Sequence, residues 1–219
     1  MINNPIDIIK NSGVIAISRG NYGVSLIKAA EALVKGGVRA VEVTFEQGSE
    51  DGERKTADAI ASLVDRFGDK LAVGAGTVLT ERQLIAAKSA GAQYVISPNT
   101  DERIIKRAKE LGVGSIPGAM TPSEIANAYA FGADIVKLFP AGQLGAAYFA
   151  AVRTPLRHIP IAAVGGIDLD NICDFRRAGA CAFGISSSLF NKKLIEGGHF
   201  DEIASIAAAF VKRASQKEL

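Results

Sequence analysis

Short apolar runs alternate with longer amphipathic stretches along almost the whole chain. Eight runs are short, continuously apolar and bounded by glycine, proline or charged residues, as buried strands are. They lie at residues 13–18, 39–45, 70–78, 92–98, 113–120, 134–140, 159–167 and 180–186. Because these runs do not alternate between apolar and polar residues, both faces of each strand are expected to be covered. The pattern predicts eight parallel strands.

The stretches between the runs have helical periodicity. Apolar residues recur with the spacing i, i+3, i+4 and i+7, for example at Val24, Ile27, Ala30, Leu33 and Val34 after the first strand. Gly91 follows one such stretch directly and indicates a helix C-terminus. Thr121 precedes another, with proline next and glutamate three residues on, which is typical of a helix N-terminal cap. A helix is therefore predicted after each strand.

Repeated strand–helix units predict a single (β/α)₈ barrel. Such units pair their strands in parallel through right-handed crossovers, and eight of them close a barrel. An open doubly wound sheet is the alternative, although it usually has fewer strands and a topological switch point. Residues 3–12 are predicted to form a short helix that closes the barrel floor. No linker or low-complexity tract divides the chain, so residues 1–219 are predicted to be one domain.

Charge and composition narrow the function classes. The 219 residues include 25 Lys and Arg and 23 Asp and Glu, a formal net charge of +2. This balance argues against nucleic acid or an anionic membrane as a partner held by bulk electrostatics. No apolar stretch reaches the length of about 18 residues that a membrane span needs, and no signal-peptide pattern is expected at the N-terminus. Cys173 and Cys181 form no disulfide framework, so a cytoplasmic location is expected.

Several kinds of site lack their motifs. His158 and His199 are isolated and the two cysteines lack C-x-x-C spacing, so no metal is expected. Neither a G-x-x-x-x-G-K-[ST] loop nor a G-x-G-x-x-G fingerprint is present to indicate nucleotide binding. A G-x-S-x-G elbow, typical of serine hydrolases, is missing too.

Two charged residues lie inside predicted strands. Lys137 is part of the run 134–140, and Glu42 is part of the run 39–45. A buried charge costs several kcal/mol unless it is paired or takes part in chemistry. One interpretation is a structural ion pair across the barrel. The other is a nucleophilic amine beside a proton-transferring carboxylate, since burial favours the neutral amine that Schiff-base formation requires.

Further candidate residues lie at the C-terminal strand ends, where barrel active sites form. Thr77 follows a Gly-Ala-Gly segment, whose glycines permit the backbone to approach a ligand closely. Arg19 follows the first strand and is suited to bind a carboxylate or phosphate. The loops after the last two strands are predicted to bind phosphate through backbone N–H and hydroxyl groups. Their candidate residues are Gly165, Gly166, Gly184 and Ser186.

The motifs AVEVT, GAGTVL, ISPN, IPG, VKLFPAG, AVGGI and G-x-S follow one another on the predicted strands. In this order they resemble the KDPG/KHG aldolase family, named for 2-keto-3-deoxy-6-phosphogluconate (KDPG) and 4-hydroxy-2-oxoglutarate (KHG). The resemblance extends from residue 13 to residue 212. It implies a class I, Schiff-base aldolase on a (β/α)₈ barrel, usually a homotrimer, without metal or organic cofactor. Such a lyase cleaves a small keto acid into pyruvate and an aldehyde, either glyceraldehyde 3-phosphate or glyoxylate.

The resemblance also implies roles for residues at matching motif positions. Lys137 would be the Schiff-base lysine and Glu42 the general acid/base. The residues that would line the pocket for the pyruvyl part are Thr77, Pro98 and Phe139. Those that would hold a distal phosphate are Gly165, Gly166, Gly184 and Ser186. Arg19 corresponds to a first-strand arginine that occurs in many members.

Three departures concern the substrate. Glu46 replaces an arginine that gluconate-type members often have, and a carboxylate there would repel an anion. Val164 stands where these members often have threonine; together with the ISRG segment, this resembles the branch that acts on the phosphogalactonate epimer. The insert 48–56 is expected to bring new substrate contacts, from Arg54 and Lys55 among others. The choice of epimer stays open at this point.

Two other functions stay open as well. A phosphate-binding barrel isomerase or synthase could use Lys137 and Glu42 as acid and base without a covalent step. A non-catalytic protein that binds a metabolite could keep the same barrel. Trapping of an imine with a keto acid distinguishes the aldolase from both.

Overall fold

Nine short parallel strands form the sheet of the structure, a computed structural model that describes residues 4–215. The strands are β1 (Val14–Ser18), β2 (Ala40–Thr44), β3 (Ala72–Gly76), β4 (Tyr94–Ile96), β5 (Gly114–Ile116), β6 (Gly118–Ala119), β7 (Val136–Leu138), β8 (Ile161–Val164) and β9 (Phe183–Ile185). Their order across the sheet is β5-β4-β3-β2-β1-β9-β8-β7-β6. Every predicted run contains a strand, and each strand is shorter than its run.

Pro117 divides the fifth predicted strand into β5 and β6. Proline has no N–H and therefore interrupts the ladder of hydrogen bonds. β5 pairs with β4, whereas β6 pairs with β7, and the N–H of Lys137 donates to the carbonyl of Pro117 at 2.8 Å. Because the two ends of the sheet are two halves of one strand, the sheet closes on itself. The predicted (β/α)₈ barrel is confirmed, with one strand in two pieces, and the open-sheet alternative is wrong.

Ten helices surround or cap the sheet in the described residues. They are α1 (Pro5–Ser12), α2 (Gly23–Lys35), α3 (Glu50–Phe67), α4 (Glu81–Ser89), α5 (Glu102–Glu110), α6 (Pro122–Ala130), α7 (Ala141–Arg153), α8 (Ile172–Arg177), α9 (Lys192–Glu196) and α10 (Phe200–Ser215). The cap predicted at Thr121 is confirmed. Its hydroxyl accepts from the N–H of Glu124, whose carboxylate accepts from the N–H of Thr121. None of these helices combines the length and hydropathy that a membrane span requires.

The helix α1 lies under the barrel, as predicted. Its buried residues Ile6 and Ile9 belong to the apolar cluster inside the barrel, together with Ile15 and Tyr94. Burying each such aliphatic side chain contributes about 1.5–3 kcal/mol. The helix begins after Asn4, whose side chain accepts from the N–H of Ile6 at 2.9 Å. Residue 3 of the predicted span lies outside the described residues.

A second and larger apolar cluster lies between the strands and the surrounding helices. The strand residues of this layer and those of the inner cluster alternate along the chain. In β1, Val14 and Ala16 face the helices, whereas Ile15 and Ile17 face the barrel interior. The runs are continuously apolar because both faces of every strand are packed. Polar side chains that bind a ligand or react with it are therefore expected at the strand ends.

Candidate active site

A cavity of about 190 Å³ opens at the C-terminal ends of the strands. All ten residues predicted for the site line it: Arg19, Glu42, Thr77, Pro98, Lys137, Phe139, Gly165, Gly166, Gly184 and Ser186. The other lining residues are Ile17, Val164, Ile167, Ser187 and Ser188. All except Ile17 belong to the two loops that the sequence predicted to bind phosphate. A larger depression of about 860 Å³ is lined by residues such as Lys10 and Arg153 and contains none of the ten.

Lys137 and Glu42 reach this cavity from inside the barrel. Lys137 is 8% exposed and Glu42 is 2% exposed. Burial lowers the pKa of the Lys137 amine; the Glu42 carboxylate opposes this shift, and the Arg19 charge adds to it. Burial also raises the pKa of Glu42, against the opposing effect of Lys137 and Arg19. Both residues are thus held closer to their neutral forms than in water.

The two side chains do not form a direct ion pair. Among the described residues, the ion pairs of 4.0 Å or less do not include Lys137 with Glu42. Oε2 of Glu42 is buried without a hydrogen-bond partner. A buried oxygen that bonds to nothing costs free energy, about 1–3 kcal/mol for a typical polar group. This geometry argues against a purely structural pair and leaves an acceptor oxygen ready for a ligand.

Glycines of β3 make the space that Glu42 occupies. A β-carbon at Gly76 would overlap the Glu42 carboxylate, and one at Gly74 would overlap the ring of Tyr94. The Tyr94 hydroxyl donates to the carbonyl of Val41 at 2.8 Å, next to Glu42 in the chain. The prediction that these glycines admit a ligand needs correction, because they admit two side chains of the protein itself.

Phe139 borders the cavity beside the lysine. Its ring centroid lies 4.6 Å from Nζ of Lys137, within the range of a cation–π contact. Lys137 lies in β7, and Phe139 follows the end of that strand two positions later. Because side chains alternate along a strand, the two residues share a face. The ring therefore shields one side of the amine from solvent.

Thr77 has an unusual backbone conformation. Its φ of 55° makes it the one non-glycine residue with positive φ in the part of the chain that the structure describes. Such a conformation costs on the order of 1–3 kcal/mol, and the branched side chain of threonine makes it less favourable still. This strained residue is one of those that line the cavity.

The loops after β8 and β9 form the distal end of the cavity. Gly165 and Gly166 have φ values of 88° and 72°, which favour glycine. Their carbonyl oxygens are occupied, since the N–H of Gly142 donates to Gly165 at 2.7 Å and the Asn171 amide donates to Gly166 at 2.8 Å. Ser186 donates to the carbonyl of Ile17 at 3.3 Å. With Ser187 and Ser188 alongside, this end is suited to an anion.

Of the residues that depart from the family pattern, Glu46, Arg54 and Lys55 lie away from the cavity, whereas Val164 lines it. Glu46 does not line it, and its side chain lies over Gly52, where an added β-carbon would be 3.1 Å from Oε2. Arg54 and Lys55 both pair with Asp51, at 2.8 and 2.6 Å, and also do not line the cavity. The expected repulsion by Glu46 and the expected substrate contacts of the insert therefore find no support in this geometry.

Metal ligation has no cluster to support it within residues 4–215. No three His, Cys, Asp or Glu side chains are placed there to hold a metal ion together.

Comparison with known proteins places this geometry among aldolases. The family model for KDPG and KHG aldolase matches residues 6–206. The 2-dehydro-3-deoxy-6-phosphogalactonate aldolase of Escherichia coli K12 is 32% identical over 200 residues, which cover 91% of this chain and 93% of the relative. The 2-dehydro-3-deoxy-phosphogluconate aldolase of Treponema pallidum is 35% identical over 198 residues, covering 89% and 88%. A solved structure described as native KDPGal has a TM-score of 0.81 at 32% identity, covering 91% and 93%.

Proposed function

We propose a specific reaction for this chain, which belongs to the KDPG and KHG aldolase family and is therefore a lyase. The chain cleaves a 2-keto-3-deoxy-6-phospho sugar acid, of the gluconate or galactonate type, to pyruvate and glyceraldehyde 3-phosphate. The observation that carries this proposal is the buried pair of Lys137 and Glu42 at one end of a cavity whose other end suits an anion.

The proposed reaction begins with the Lys137 amine. Its lowered pKa increases the neutral fraction, and the neutral amine attacks the C2 ketone to give a carbinolamine. Protonation of the carbinolamine hydroxyl by Glu42 and loss of water yield an iminium ion and leave Glu42 as a carboxylate. When the C3–C4 bond breaks, its electron pair moves into the iminium, which becomes an enamine. The enamine then takes a proton at C3, and hydrolysis releases pyruvate and restores the amine.

Glu42 is the proposed acid and base of this sequence. It accepts the proton of the C4 hydroxyl as the aldehyde forms, directly or through one water. The raised pKa of Glu42 brings its proton affinity nearer to neutral pH, which suits a group that must both take and return a proton. Its Oε2 lacks a protein hydrogen bond and so is available for this transfer.

The distal loops favour a phosphorylated substrate over 4-hydroxy-2-oxoglutarate. They contain Gly165 and Gly166 in left-handed conformations and three consecutive serines, 186–188. Backbone N–H groups and hydroxyls of this kind match the three oxygens of a phosphate. Arg19, an exposed cation on the cavity wall, adds positive charge near the carboxylate of the substrate.

Reductive trapping tests the covalent step. The protein is incubated with pyruvate and borohydride, and intact mass and peptide mapping are expected to place a reduced pyruvyl adduct on Lys137. Lys137→Met should give no adduct, whereas Lys106→Met, which removes an exposed lysine paired with Glu102, should keep it. Turnover without any adduct would instead identify a non-covalent barrel enzyme. Stabilisation by pyruvate without adduct or turnover would identify a binding protein.

The assembly is proposed from the family resemblance. We infer a cytoplasmic homotrimer in which residues 1–219 form one domain. Sedimentation at several protein concentrations is expected to give the mass of three chains, and a monomer would contradict this inference.

A further inference from the structure

A chain of side-chain hydrogen bonds holds the turn that carries Thr77. The N–H of Leu79 donates to Oε1 of Gln83 at 2.8 Å. Nε2 of Gln83 donates to Oε1 of Gln47 at 3.0 Å, and Nε2 of Gln47 donates to the carbonyl of Thr77 at 2.9 Å. Two glutamines that are 36 residues apart thereby clamp the turn 77–79 at both of its ends.

Gln83 is a buried polar residue, only 2% exposed. Its Nε2 also donates to Oε1 of Glu53 at 3.2 Å, so both functional groups of the amide are bonded. Because Gln83 is buried, any other arrangement would leave its amide atoms unbonded, so its hydrogen bonds fix the local geometry. Gln47 at the other end of the network is exposed. The cap of α4 does not need the Gln83 amide, since the Thr80 hydroxyl already accepts from the Gln83 N–H at 3.2 Å.

Thr77 needs such support because its backbone conformation is unfavourable for a branched residue. The preceding residue, Gly76, is the surface against which the Glu42 carboxylate lies. Gly76 is itself held by β2, since the N–H of Phe45 donates to its carbonyl at 2.8 Å. A change of backbone angle at Thr77 would therefore move the Thr77 side chain in the cavity while the surface under Glu42 keeps its place.

We propose that Gln83 and Gln47 are positioning residues that keep Thr77 in its left-handed conformation and so shape the end of the cavity that receives the keto acid. Neither glutamine lines the cavity, so both act through Thr77. This inference rests on the proposed aldolase function for its kinetic consequences.

The first test replaces the buried amide by a thioether of similar length. Gln83→Met is expected to raise KM for the phospho sugar acid about tenfold while kcat changes by less than about threefold, because a binding surface shared by ground and transition states is lost. Gln93→Met is the matched control. Its Oε1 accepts from the N–H of Val73 at 3.1 Å, near the opposite end of β3, and its loss is expected to change KM less than about twofold.

The second test asks whether the effect passes through Thr77. In a Thr77→Gly background the left-handed conformation is free, so adding Gln83→Met is expected to raise KM less than about twofold further. An equal rise in both backgrounds would overturn the proposal. Should Gln83→Met fail to fold, the exposed Gln47→Met is expected to raise KM in the same direction, and an unchanged KM there would overturn the proposal equally.

A crystal structure of Gln83→Met separates this inference from the proposed function. Thr77 is expected to leave the positive-φ region, and a Thr77 that keeps it would refute the positioning role whatever the enzyme does. Absence of both turnover and pyruvate adduct in the unmodified protein would instead refute the aldolase proposal. The conformation of Thr77 in the variant would still test whether Gln83 and Gln47 position Thr77.

Discussion

The two ends of the cavity are built in different ways. The end with Lys137 and Glu42 consists of side chains that project from strands into a packed barrel, and both are nearly inaccessible to solvent. The distal end consists of loops whose backbone turns through left-handed glycines, and Gly166 and Ser186 there are exposed. The first environment suits the proposed covalent chemistry, since burial lowers the pKa of the Lys137 amine and so favours its neutral form.

This contrast indicates which end of the cavity can accept amino-acid substitutions without loss of the fold. A packed interior transmits any change of volume, so substitutions around Lys137 and Glu42 disturb the neighbouring strands. The distal loops are partly open to solvent, since Gly166, Ser186 and Ser187 are exposed. We therefore expect the chemistry to depend on the buried end and the preference among phospho sugar acids to depend on the distal loops.

The largest expected effect is at Lys137. Lys137→Met should lower kcat/KM for cleavage by about 10⁴ or more, because the covalent intermediate cannot form. Circular dichroism and the thermal midpoint are expected to show an intact fold. Lys106→Met should cleave at the unmodified rate. Appreciable cleavage by Lys137→Met would reject the proposed role of the lysine.

Glu42 is expected to contribute less than the lysine. Glu42→Gln preserves shape but cannot shuttle a proton, so kcat should fall by about 10²–10⁴, the usual contribution of acid–base catalysis. Pyruvate trapping on Lys137 should persist. Glu102→Gln, which removes an exposed carboxylate, serves as the control. An unchanged kcat in Glu42→Gln would mean that another group transfers the proton.

A substitution in the distal loop sharpens the comparison further. Gly166→Ala places a β-carbon on a residue with φ of 72°, 3.2 Å from Cα of Gly142. We expect KM for the phospho sugar acid to rise about tenfold while the rate of pyruvate trapping stays within about twofold. Gly198→Ala has the same φ of 72° with nothing within 4 Å, and should change neither quantity. An equal loss of trapping in Gly166→Ala would show that the two ends are not separable.

Much of this site is predictable from the sequence. Lys137 and Glu42 are recognisable because each interrupts a run of apolar residues, and a charge in such a run needs a reason. Strand positions follow from the same runs, and barrel geometry then brings all strand ends to one face. The predicted residues meet in one cavity for that reason.

Other features depend on which residues the fold places side by side. Strand pairing sets Gly74 of β3 opposite Tyr94 of β4 and Gly76 opposite Thr44 of β2, two residues from Glu42. Only these neighbours show that the glycines make room for protein side chains. The clamp joins Gln47, in the loop after β2, to Gln83, in the first turn of α4 after β3. No pattern along the chain indicates such a contact.

The smallest expected effect concerns stability and its dependence on pH. The pKa of Glu42 is raised in the folded state, mainly by burial, so folding opposes its ionisation. Its contribution is most favourable below the unfolded pKa of about 4.3, and it is lost as pH rises from there through the folded pKa. Glu42→Gln removes this loss, so its Tm should exceed that of the unmodified protein at pH 8. At pH 4 the glutamine of the variant and the protonated Glu42 of the unmodified protein are both neutral. The difference in Tm should therefore nearly vanish. A Glu42→Gln variant that is less stable at pH 8 would mean that attraction to Lys137 and Arg19 outweighs burial, and the buried end would then be held together by charge.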